Sequence, residues 1–192
     1  LMTGEAQRYS EKRLSDDFTA YILFSEPLQA GIDVIFDAVA EDYPGLVWSS
    51  AQMGGGAIDT RSVTLSTDLG MTDVSGKDAA RGRTTFMGAP GRCELDWAPI
   101  YQMSRIVNPG AAQAVAQHTD HLSISVGSPP GNTSIAARFD AARRLTCLAA
   151  VFAKLPICLG VYFPSADLLL KPEDWVTAAE TAMKGEIPVM QW

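Results

Sequence analysis

Apolar and polar positions alternate along this chain with two different periods, and the period switches mark the elements. Residues 19–25 (TAYILFS) are β-branched and aromatic and predict a strand, which Pro27 ends. Leu28, Ile32, Ile35, Phe36, Val39 and Ala40 then recur at helical spacing up to Tyr43. On the opposite side of that helix Asp33, Asp37 and Glu41 follow one another every four residues, an acidic outer row. Pro44-Gly45 closes it, and residues 45–50 predict the next strand. A second strand–helix–strand unit follows later. Residues 121–127 (HLSISVG) predict a strand, a long helix runs from about Ser134 to Lys154 until Pro156 stops it, and residues 157–163 form an apolar strand. Pro172 stands where an N1 proline belongs, with Glu173 and Asp174 in the first turn, Trp175, Val176, Ala179 and Met183 as the apolar stripe, and Gly185 as the stop. The final residues, IPVMQW, read as a last strand.

Between these units the signals are weaker. Residues 61–67 predict a strand, 70–82 a mobile loop, and 109–117 a helix capped by Asn108. Residues 83–97 resemble a hairpin turned at Ala89-Pro90-Gly91, and residues 1–17 a polar leader. The expected fold is therefore α+β: two ferredoxin-like (split β-α-β) halves, about 18–117 and 118–192, forming one unit with mixed or antiparallel sheets and helices on one side. That last expectation rests on strand alternation. Leu122, Ile124 and Val126 alternate with His121, Ser123 and Ser125, giving one apolar face and one hydroxyl-rich face that is open or meets a partner.

Composition narrows the function classes. With 47% hydrophobic and 19% charged residues among 192, the chain is too apolar for disorder. A formal net charge of −7 argues against a general nucleic-acid binder, which needs basic surface to neutralise phosphates. No apolar stretch approaches the roughly 20 residues that span a bilayer. The cysteines, Cys93, Cys147 and Cys158, form no C-x-x-C pair, and the apolar surroundings of Cys147 and Cys158 fit a reducing cytoplasm. The charge is also uneven. No Lys or Arg stands between Arg13 and Arg61, where Asp16, Asp17, Glu26, Asp33, Asp37, Glu41, Asp42 and Asp59 do. The long helix has the reverse bias, with Arg138, Arg143, Arg144 and Lys154 against Asp140 alone. If the two helices lie side by side, their stripes complement each other.

The most chemical-looking stretch is His118-Thr119-Asp120-His121, which holds both histidines of the chain. A metal or general-base site needs imidazole and carboxylate to converge. In an extended strand, however, His118 and Asp120 share one face and His121 takes the other, so convergence requires a turn over 118–120. The candidate ligand-binding set on the sheet is His118, Asp120, His121, Ser123 and Ser125. Gly54-Gly55-Gly56 lacks the helix start and lysine of a phosphate loop and reads as a connector. Ser128, in VGSPPG, lacks the nucleophile-elbow pattern. Lys77, Arg81, Arg83 and Arg92 read as a solvated loop, with an anion or an acidic partner surface as the alternative. Trp48 and Trp175 fit core positions. Trp97, beside Glu94 and Asp96 on the expected hairpin, is the exposed aromatic that would anchor an interface. No catalytic constellation, metal site or cofactor motif stands out.

Residues 118–192, in the blocks HLSISVG, RFDAARRLTCLAAVFAKLP, ICLGVYF and KPEDW, resemble a bacterial family known chiefly as a domain of unknown function, with a weaker match at YILFSEP. The shared features are a strand opened by His, a long helix, a GVY-like strand and a P-E-x-[FW] helix start. The resemblance implies a cytoplasmic bacterial α+β protein and carries over no catalytic residue. The expected function is a non-enzymatic protein-binding module, with Asp33, Asp37, Glu41 and Trp97 as interaction residues. The alternative is a small-ligand binder or enzyme on the open sheet face around His121, Ser123 and Ser125. A homodimer formed through the sheet face is the third class.

Overall fold

The computed structural model describes residues 17–48, 57–61, 64–66, 71–73, 84–127 and 134–186. The expected leader over most of 1–17, the connector at Gly54–Gly56, Lys77, Arg81, Arg83, Ser128 and the expected last strand lie outside the described residues.

Six strands form one antiparallel sheet in the order β10-β9-β1-β8-β7-β5. These are β1 (Asp17–Phe24), β5 (Thr64–Ser66), β7 (Thr84–Pro90), β8 (Asp120–Gly127), β9 (Cys158–Phe163) and β10 (Leu168–Leu170). Two short ladders are not hydrogen-bonded to this sheet: β2 (Gln29–Gly31) with β4 (Ala57–Asp59), and β3 (Leu46–Trp48) with β6 (Met71–Asp73). Thus β6 takes up part of the segment expected to be a loop. The helices are α1 (Ile32–Asp42), α2 (Trp97–Ser104), α3 (Ala111–Gln117), α4 (Ile135–Ala153) and α5 (Pro172–Met183). The architecture is α+β, as the alternation of periods predicts. The two halves are interwoven, since β1 lies between β8 and β9 and pairs with both. The first half departs from the expected duplicate, because β1 and β3 belong to different sheets.

The main core lies on one face of the sheet. Ala20, Ile22 and Phe24 of β1, Leu122, Ile124 and Val126 of β8, and Val161 and Phe163 of β9 pack there against α1, α4 and α5. From Ala141 to Ala153, α4 is buried on nearly all sides, which its run of alanines and short aliphatics permits. Trp175 of α5 is fully buried, packs edge-on to Phe163 and donates its indole N–H to the Thr146 carbonyl at 3.0 Å.

Helices on one side only is the expectation that fails. Tyr21, Leu23, Tyr162 and Leu169 point to the second face, where a smaller core with Ile100, Ala111 and Val115 lies beneath α2 and α3. The reason is compositional. On β9 and β10 the second-face side chains Tyr162 and Leu169 are large and need a cover; on β8 they are His121, Ser123 and Ser125. The two helices also close one sheet edge. Ser104 Oγ accepts the Leu169 N–H at 2.8 Å, and Asn108 Nδ2 donates to the Leu169 carbonyl at 3.2 Å. The outward backbone groups of edge strand β10 are thereby paired with side chains instead of offered to another chain. Gly160 lets β10 approach β9 closely, since a Cβ there would stand 3.1 Å from both Leu169 Cδ1 and the Leu170 carbonyl oxygen.

Candidate functional site

The histidine stretch does not turn before the strand. His118 is the C-cap of α3, with extended backbone, Thr119 donates its N–H to the Phe24 carbonyl at 2.9 Å, and β8 begins at Asp120. The extended backbone directs the groups apart. His118 is 1% exposed. Its Nε2 accepts the backbone N–H of Cys93 at 2.8 Å, which leaves Nδ1 to donate to the Val115 carbonyl at 2.6 Å. Both ring nitrogens are therefore spent on holding the residues before α2 against the end of α3. Burial holds the His118 imidazole below its ordinary pKa, outweighing the opposing pull of the Val115 carbonyl. Asp120 is buried and accepts from Thr119 Oγ1 at 2.8 Å. His121 lies half-buried, with Nδ1 3.1 Å from the Gly91 carbonyl oxygen.

Ser123 and Ser125 share the second face with His121. Ser123 is buried, whereas Ser125 is half-buried with its Oγ 2.8 Å from Thr19 Oγ1 across β1. The five candidate ligand residues thus divide among the buried imidazole of His118, the buried carboxylate of Asp120, the half-buried imidazole of His121 and two serines, of which Ser125 meets Thr19 on β1. No group of three or more His, Cys, Asp or Glu able to hold a metal ion is found among the described residues.

Trp97 requires correction. Residues 83–97 are no hairpin: β7 pairs with β5 and β8, and Trp97 opens α2. The indole is half-buried, edge-on to His118 and Tyr162, and donates to the Cys93 carbonyl at 3.1 Å. It belongs to the second core, so it is no exposed anchor. The signal for α2 was present in Asp96, whose side chain accepts from the Ala98 N–H, and in Pro99 in the first turn. Cys93 itself is buried, and burial raises its thiol to about 11. It stays protonated near neutral pH and is no nucleophile as it stands.

The acidic row is where the expectation and the structure agree in position. Asp33, Asp37 and Glu41 are all exposed on α1. Among the described residues one ion pair links the neighbouring helix α4 to α1, Lys154 to Asp42 at 2.7 Å. Arg143 and Arg144 turn instead to Asp140 of their own helix. Asp33, Asp37 and Glu41 make no ion pair among the described residues. No helix among the described residues is long and apolar enough to cross a membrane. Comparison with family models, with curated proteins and with solved structures finds no match to this chain.

Proposed function

We propose that this chain is a non-enzymatic binding module that recognises a partner protein through the acidic row of α1. The observation that carries this reading is that three of the acids on one helix, Asp33, Asp37 and Glu41, are exposed and make no ion pair among the described residues, while Asp42 is matched by Lys154. Three like charges on one helix face disfavour the free protein slightly and favour a basic surface brought against them. The partner is therefore a protein whose contacting face carries Lys and Arg. The net charge of −7 speaks against nucleic acid as the target.

The rest of the molecule supports this as a scaffold. The second half, β8 to α5, serves as a ferredoxin-like half that presents α1 beside α4, and the placement of β1 between β8 and β9 supports that description. Three free, buried thiols fit a reducing cytoplasm. The family resemblance over residues 118–192 adds a lineage of α+β proteins and no activity.

The test is photo-crosslinking from position 37 in cells of the source organism, with position 102 on exposed α2 as control. Crosslinks from 37 to Lys- or Arg-rich surfaces, lost when Asp33 and Glu41 are both changed to Lys, support the reading. Equal capture from both positions, or capture that survives the charge reversal, overturns it.

A further inference from the structure

Among the described residues, four buried side-chain polar atoms have no hydrogen-bond partner: Tyr43 Oη, Thr84 Oγ1, Arg143 Nε and Arg144 Nη1. Tyr43 follows α1. Thr84 and Arg144 lie at one end of the sheet, where β7 starts and β8 finishes, and Arg143 joins Arg144 through the shared carboxylate of Asp140. Thr84 is directly across from Val126, and Arg144 Nη2 reaches the carbonyl of the next residue, Gly127, at 3.4 Å. Thr84 shares the helix-covered face with Phe86 and Val126.

Among the described residues the charges at this place do not balance. Arg143 Nη2 and Arg144 Nε take the two oxygens of one carboxylate, Asp140, at 2.7 and 3.0 Å. The guanidinium groups are thereby held side by side, and Asp140 is the one carboxylate paired with either among the described residues. Two cations against one anion leave a net positive charge. Arg144 is all but sealed, its side chain 4% exposed, and a buried charge without full compensation is costly. The unmatched atoms are chemically alike: a guanidinium Nε–H, a guanidinium Nη–H and a hydroxyl, all able to donate. What is missing is an acceptor of several hydrogen bonds that brings negative charge.

We propose that an oxyanion of the phosphate class, inorganic or the terminal group of a monoester, binds at this end of the sheet between Arg143, Arg144 and Thr84. A tetrahedral oxyanion offers acceptors in several directions and pairs well with guanidinium groups. Arg143, whose side chain is 30% exposed, marks the side from which the ligand enters. This site is separate from the acidic row of α1 and stands or falls independently of it.

The test is a ³¹P NMR titration of the intact protein with inorganic phosphate, and in parallel with ethyl phosphate. Saturable binding with a Kd below about 1 mM is expected for at least one of them. If ethyl phosphate binds and inorganic phosphate does not, the ligand is a monoester. Thr84→Val, which keeps the shape and removes the donor, should weaken binding about threefold to tenfold; Arg143→Gln should weaken it at least about fivefold. Arg144 is left intact so that the fold is kept. Absence of saturable binding by either anion overturns the proposal, as does equal affinity in wild type and both variants; ordered water alone would then satisfy the three donors.

Discussion

Lys154 Nζ lies 2.7 Å from Asp42 Oδ1 and 5.6 Å from the centre of the Tyr43 ring, so one cation closes the C-terminal end of α1 against α4. Both partners are partly exposed, which limits the pair to about 0–1 kcal/mol, with a cation–π contribution of similar size. We expect Lys154→Met to cost about 1 kcal/mol in urea unfolding. Asp37→Asn, one turn and more away, should leave stability within about 0.5 kcal/mol of wild type. A loss above about 2 kcal/mol from Asp37→Asn would show that the row has an internal structural partner.

The edge clamp carries more. Ser104 and Asn108 satisfy the N–H and C=O of Leu169, and all three residues are buried. Removing either side chain leaves a buried backbone group unpaired, at a cost of about 1–3 kcal/mol. Ser104→Ala and Asn108→Ala should each lower stability by that amount in denaturant titrations, with accelerated amide exchange at Leu169 for Ser104→Ala. An unchanged exchange rate there would show that the edge is held by other means.

His118 supplies a pH dependence whose sign is set by burial. Its folded pKa is depressed below the ordinary 6.5, so on acidification the unfolded chain takes up the proton that the folded chain refuses. Its contribution is complete above about pH 6.5 and declines as pH falls toward the folded value. NMR titration should show the His118 ring titrating below 6.5 and keeping the Nδ1–H tautomer at neutral pH. In His118→Gln this part of the acid loss should disappear. A His118 midpoint at or above 6.5 would contradict the account of a buried, neutral imidazole.

The three thiols should be silent while the protein is folded. Burial raises Cys93 to about 11 and Cys147 and Cys158 to about 12. Ellman's reagent at pH 7.5 should react with none in the native state within minutes and with all three in denaturant. Rapid reaction of one thiol in native buffer would identify Cys93, at the margin of the smaller core, as more open than the fold implies.

Much of the architecture was legible in the sequence because the strong periodic segments also carry local stop signals. Pro172, Glu173 and Asp174 start α5 where predicted, and Asp33, Asp37 and Glu41 lie outward as their spacing requires. What was missed depends on contacts between distant residues. The hydroxyl alternation of β8 was clear, yet the cover over Tyr162 and Leu169 is made by α2 and α3, helices of eight and seven residues whose local signals do not say which face of the sheet they cover. His118 looked chemical because it neighbours Asp120 and His121 in sequence. Its partners are Cys93 and Val115, and the former stands 25 positions away. The candidate site divided for the same reason: sequence proximity places residues on one strand, while the hydrogen bonds decide where each side chain goes.

The central claim is that the acidic row of α1 is a recognition surface, and photo-crosslinking from position 37 tests it most directly. The account predicts crosslinks to the basic surface of a defined partner, weakened by salt and abolished when Asp33 and Glu41 are reversed to Lys with the fold intact by circular dichroism. Crosslinks that persist unchanged in the reversed protein, or that form equally from position 102 on α2, would contradict it.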